Sequence, residues 1–378
     1  MNILRRLPLS RLLLLCGVIV GVGVGATALA LAVGAGPTPP PKPLAVAVHD
    51  ALSAPKADGV SARIQLTNHL IEGASLASSG GEANQLASSP LLSGGSGRLW
   101  IGSNGHARLE LQSEKGDTQI LYDGHTASLY DASTNTLYRY TPPPQSGSEQ
   151  SQGATSDSGP TGASTDRNKI PSVAEIEEGI AHAGKHADIS GATPTDVAGQ
   201  AAYTVRVSPR ENGGLIGGAE LSWDAVHGAP LRAAVYSTTS AAPVLELAAT
   251  EVSYGPVDSS TLDFTPPANA KVEEVTLPME HGSGSSGSPS SDSSRPHVST
   301  HGKGLAAIAL VESPVKAGER ESAGSQLEGL QKVNVNGVSA SELPTALGTL
   351  LTFERSGVRY LLAGSVTPAS IQAFARGL

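Results

Sequence analysis

The sequence predicts a mainly β fold of the α+β class, and three observations carry the prediction. Gly97–Tyr140 breaks into short apolar–polar runs separated by tight-turn pairs. "LSWDAVHGAPLRAAVY" (Leu221–Tyr236) reads as two strands around an Asp-to-Gly turn. Glycine and proline number 44 and 26 of 378 residues while aromatics make up 3%, a composition of turns, linkers and small-residue sheet.

The elements follow in chain order. Leu44–Leu52 predicts a helix, and Ala62–Ile71 ("ARIQLTNHLI") alternates as a strand does. Strands are expected near 98–101, 107–112, 119–122, 127–130 and 136–140. They are joined by Ser103-Asn104-Gly105, Lys115-Gly116, Asp123-Gly124 and Ser133-Thr134-Asn135, and such pairs supply the positive φ of tight turns. This is an antiparallel meander. Ser172 and Glu175 are spaced as a capping box ahead of the apolar stripe Val173, Ile176 and Ile180. Further strands are expected at 202–207, 219–223, 231–237 and 244–252. A last group is expected near 305–311, 332–336, 349–354 and 358–363. Thr367 then caps a short helix with Pro368 in its first turn.

Three arginines (Arg5, Arg6, Arg11) precede an uncharged run, Leu12–Ala35, long enough to cross roughly 30 Å of hydrocarbon. The positive flank favours the cytoplasm and sends the rest outside. A retained anchor fits the full length, and a cleaved signal with Ala28-Leu29-Ala30 at its site is the alternative. The organisation that results is a signal or anchor (1–35), a proline-rich spacer (36–43), a large domain (44–280) interrupted by a low-complexity linker (141–166), a Ser/Gly linker (281–302) and a small α+β module (303–378).

Several chemistries are excluded. A net charge of −9 with no basic run beyond the N-terminus argues against nucleic acid. The single cysteine, Cys16, allows no internal disulfide, and Leu15 before it is too large for a lipid-modification site. There is no HExxH, CxxC, P-loop or nucleophile elbow, so no catalytic residue, metal or cofactor is expected. Glu178, His182 and His186 share a helix face without a further ligand and read as a solvated polar face. "GSGSSG" (282–287) matches a dinucleotide fingerprint only formally, because it sits in a serine linker.

What remains is an alternating sheet, one face of which must be covered by helices or by a ligand. Trp100, Leu109, Leu111, Leu121, Leu129, Tyr138, Trp223, Val235 and Leu245 are the candidates for that face. A register error of one residue would invert the assignment.

"GRLWIGSNGHARLEL…ILYDGHTASLYDASTNTLYRY" is similar to the first half of LolA-type lipoprotein carriers, and "AELSWDAVHGAPLRAAVY…VSYGPVDSSTLDFTPPANAKV" to the second half. The resemblance implies a curved, incomplete antiparallel β-barrel with helices in its concave face, which holds acyl chains in an apolar cavity. It makes the nine candidates ligand-binding residues and an acyl lipid or lipoprotein the partner. Where such carriers place a lid-holding arginine, this chain has Gly102-Ser103-Asn104-Gly105. The C-terminal "LTFERSGVRYLLAGSVTPASIQAFARGL" loosely resembles the small module of RseB/MucB-type envelope-stress sensors, which implies an anti-sigma factor as an alternative partner. A third possibility is an extracellular scaffold without a ligand.

Overall fold

Turn chemistry sets most of the strand boundaries. The computed structural model describes residues 36–71, 90–114, 116–142, 170–211, 214–275, 297–315 and 330–378. Residues 1–35, with the uncharged run Leu12–Ala35, lie outside them, as does nearly all of the linker expected at 141–166. Among the described residues no helix is long and apolar enough to cross a membrane.

Helix α1 (Leu44–Ser53) leads into β1 (Gly59–Asn68), and the short helix α2 (Pro90–Ser93) into β2 (Gly95–Gly102). The meander continues as β3 (Ala107–Ser113), β4 (Gly116–Tyr122), β5 (Ala127–Asp131) and β6 (Thr136–Tyr140). Helix α3 (Val173–Ala183) starts at the expected capping box: Ser172 Oγ accepts from the Glu175 N–H, and the Glu175 carboxylate accepts from the Ser172 N–H. Then come β7 (Ala187–Ile189), β8 (Thr193–Val197), β9 (Gln200–Pro209), β10 (Ile216–Asp224), β11 (Pro230–Ser237) and β12 (Pro243–Tyr254). Helix α4 (Ser259–Leu262) and strand β13 (Lys271–Glu274) complete the large domain.

These strands form one curved, open 13-stranded sheet in the order β13-β6-β5-β4-β3-β2-β1-β12-β11-β10-β9-β7, with β8 also paired to β9. It is a mainly β fold with few helices and no barrel closure, as expected. The two halves meet at β1 and β12, where a register shift between Arg63 and Ile64 adds local twist. Strand β13 pairs in parallel with β6 and brings the chain back to the first edge.

The two faces differ. Helices α1 and α2 lie on the inner one. Ala47, Leu44 and Val48 of α1 pack on Tyr203, Trp223 and Leu221, and Leu91 of α2 packs with Ile64, Leu66 and Leu111. The outer face of β9–β12 is a charge ladder. Arg206 and Arg232 both donate to Glu220, at 2.9 and 2.8 Å, and Arg232 also donates to Glu246 at 2.6 Å. The outer face of β2–β6 is instead crossed by a strap, residues 255–270. Arg108 Nη1 donates to the Thr261 and Asp263 carbonyls at 3.1 and 2.8 Å, and Phe264 packs on Tyr130.

The C-terminal module is a six-stranded sheet built from β14 (His297–His301), β15 (Ile308–Pro314), β16 (Gln331–Val335), β17 (Val338–Thr345), β18 (Gly348–Arg355) and β19 (Val358–Gly364). Helix α5 (Pro368–Ala375), capped by Thr367, seals its core of Leu351, Phe353, Leu362 and Ile371. Strand β14 corrects one boundary, since the end of the stretch read as a Ser/Gly linker pairs with β15 in full register. The module touches the large domain through backbone hydrogen bonds, Leu215 N–H to the Ser365 carbonyl and Ala346 N–H to that of Leu70.

Candidate functional site

Residues directly opposite each other across a sheet share a face. The pairings therefore place each candidate. Leu109, Leu111, Leu129, Tyr138, Trp223, Val235 and Leu245 are on the inner, helix-bearing face. Trp100 and Leu121 are not. Trp100 pairs with Ser61 and Arg108, Leu121 with Arg108 and Ser128, and all of these point outward. Both assignments are corrected here by the one-residue parity of a strand. Leu111 and Trp223 are inward but already buried, under α2 and α1. That leaves Leu109, Leu129 and Tyr138 together, with Val235 and Leu245 further along.

The pairings also reveal residues that the strand pattern left unassigned. Val252, Ala62, Leu99, Leu109, Ile120, Leu129 and Tyr138 lie opposite one another in turn and form one continuous row across seven strands. Two residues along each strand, Tyr254, Val60, Ile101, Ala107, Tyr122, Ala127 and Tyr140 form a second row. Every member is apolar or aromatic, none carries a charge, and each is half-buried. In the next row Ile64, Leu111, Thr118 and Thr136 are buried, while Asp131 between the last two is half-buried. The inner face thus divides into a covered part and an apolar floor. Seven strands at ~4.8 Å make the floor about 29 Å wide, and two rows make it about 7 Å deep. Alternation in "QILY" (119–122) already puts Ile120 and Tyr122 on one face, and choosing Leu121 missed them.

One end of the floor is polar. Tyr254 closes the second row, and its hydroxyl donates to Asp224 Oδ2 at 2.9 Å. Burial first, and then this bond to Asp224, push the Tyr254 hydroxyl well above its ordinary value, so it stays a donor. Asp224 is 2% exposed, and its Oδ1 accepts from the Val226 and His227 N–H groups, both at 2.7 Å. The His227 ring stacks on Tyr254 at 3.7 Å. Gly228, at φ 65°, ends this turn against the Ala51 carbonyl of α1, where a Cβ would collide. The Trp223 hairpin is therefore tied at its tip to both α1 and the end of the floor.

A separate cleft of about 690 Å³ opens at the opposite end of β2 and β3. Its walls are Ser93, Gly94, Gly95, Ser96, Gln112, Ser113 and Glu114, with no large apolar side chain among them. Among the described residues no group of three or more His, Cys, Asp or Glu could hold a metal ion.

No protein-family model and no curated relative matches the chain. Solved structures similar to it include the MucA/MucB complex of Pseudomonas aeruginosa, with 15% identity over 88% of this chain and 96% of that one and a TM-score of 0.43. MucB bound to the periplasmic part of MucA gives 15% identity over 88% and 94%, with a TM-score of 0.38. A LolA-superfamily protein from Nitrosomonas europaea gives 8% identity over 85% and 90%, with a TM-score of 0.19. Identity and overlap with these structures are low, so the work of the surface is read from this chain's own side chains.

Proposed function

We propose that this chain binds the acyl portion of a lipid or lipoprotein on its apolar floor, outside the cytoplasm and tethered through its N-terminal run. One observation carries the reading: two seven-strand rows without a charged member stay partly exposed on the face where the helices lie. A soluble domain rarely leaves so wide an apolar surface without an occupant. Binding there needs no catalytic group, since each buried methylene contributes roughly 0.8 kcal/mol. The arginine-flanked run supports the location. Native mass spectrometry of the protein taken from its own host's membrane fraction is the test. Co-purifying acyl species support the reading; protein that carries none and fails to bind a fluorescent acyl probe points to a scaffold.

A second reading is a sensor that reports acyl occupancy to a protein partner such as an anti-sigma factor. It is supported by the C-terminal sheet, whose face opposite α5 leaves Val298, Leu350 and Leu361 exposed at 53%, 42% and 36%. Pull-downs from host membranes with and without added lipid distinguish the two, because only a sensor changes its protein partner with occupancy.

A further inference from the structure

The floor has a chemically distinct end, and we infer that it selects acyl ligands with a neutral, hydroxyl-bearing headgroup, such as a glycerol monoester, through His227. The inference rests on the acyl-binding reading above. His227 Nδ1 lies 3.3 Å from Asp224 Oδ1, a carboxylate oxygen that can only accept. In the neutral ring this contact places the proton on Nδ1 and leaves Nε2 as an acceptor, the tautomer logic of a carboxylate–imidazole pair. The side chain is 34% exposed, so Nε2 is reachable. Stacking on Tyr254 fixes the ring at the terminus of the second row.

Charge argues for the neutral headgroup. Neither row holds a cation, and the buried Asp224 carboxylate lies directly beside the ring. A fatty-acid carboxylate or a phosphate would meet like charge without a compensating base, whereas an O–H donor meets Nε2. Tyr254 does not compete for the donor role, because its own proton is committed to Asp224.

The test uses three ligands with one acyl chain, 1-lauroylglycerol, methyl laurate and laurate, each displacing a fluorescent acyl probe from the full chain at pH 8. Methyl laurate carries the ester without a hydroxyl and reports on the floor alone. The expected result is that lauroylglycerol binds about two- to tenfold tighter than methyl laurate, the weight of one hydrogen bond, and that laurate binds weakest. His227→Leu abolishes the preference, read as the ratio of the lauroylglycerol and methyl laurate affinities; His227→Gln, which keeps an acceptor, retains part of it. Thermal melts of both variants confirm folding. A preference that is absent in the wild type, persists in His227→Leu, or favours laurate overturns the assignment while the floor stands. If methyl laurate does not bind, the floor reading itself fails, and this inference with it.

Discussion

Leu129 and Leu121 sit on neighbouring strands, are both half-buried and differ in the face they occupy. Replacing each by alanine removes the same three carbons, worth up to ~2.4 kcal/mol at full burial. In the free protein both side chains are already partly covered, so an acyl chain lying on Leu129 adds about half of that. Leu129→Ala should therefore weaken acyl binding by ~1.2 kcal/mol, roughly eightfold in Kd. Leu121→Ala faces outward and should leave Kd within about twofold, a range set by ~0.4 kcal/mol of indirect effect. The assay is a probe titration on both variants, with a melt to show comparable folding. Equal losses, or a larger loss at Leu121, would refute the parity argument and with it the floor.

Other expectations follow from the same geometry. Gly228→Ala forces a side chain into a left-handed turn against α1 and should cost ~1–3 kcal/mol, read as a lowered Tm. Ser172→Ala removes the capping box and should cost ~1 kcal/mol in the same assay. Arg108→Ala frees the strap from its two carbonyl anchors, and limited proteolysis should then cut first within residues 255–270. Burial raises the Glu220 carboxyl, but hydrogen bonds from Arg232, Tyr236 and Arg206 outweigh it and hold the group below its ordinary value. The stability it contributes is full above its unfolded pKa and is lost as pH falls through the lower folded one, so Glu220→Gln should flatten the acid limb of a Tm–pH curve.

The meander was legible because its turns announce themselves: Asn104-Gly105 and Asp123-Gly124 each sit where a hairpin closes. The helix starts were legible from Ser172 and Thr367 for the same local reason. Facing was harder. Trp100 alternates with Leu99 and Ile101, and Leu121 with Ile120 and Tyr122, so both sides of β2 and β4 look apolar. The strap explains why, since Leu262 and Phe264 cover the outer side and remove the pressure for polar residues there. Strand β13 follows Pro266-Pro267 and exists through a parallel partner far away in sequence, and β14 sits at the end of a serine-rich stretch. Their pairing is non-local, and no short-range pattern encodes it. The hydrogen bonds around His227 likewise join a turn to Tyr254 across an intervening strand.

The seam between β1 and β12 sets a clock. Ser61 and Ser253, which pair across it, are 192 residues apart. At ~5–20 residues per second, a growing chain shows the β1 edge for roughly 10–40 s before its partner exists. During that interval the first six strands can assemble, but their terminal edge has unpaired N–H and C=O groups and the floor lacks its Tyr254 end. Slow, long-range closure of this kind exposes the nascent domain to strand addition and to premature acyl contact. A partner that shields the young chain would be most useful in that window, after Tyr140 has emerged and before Tyr254 has.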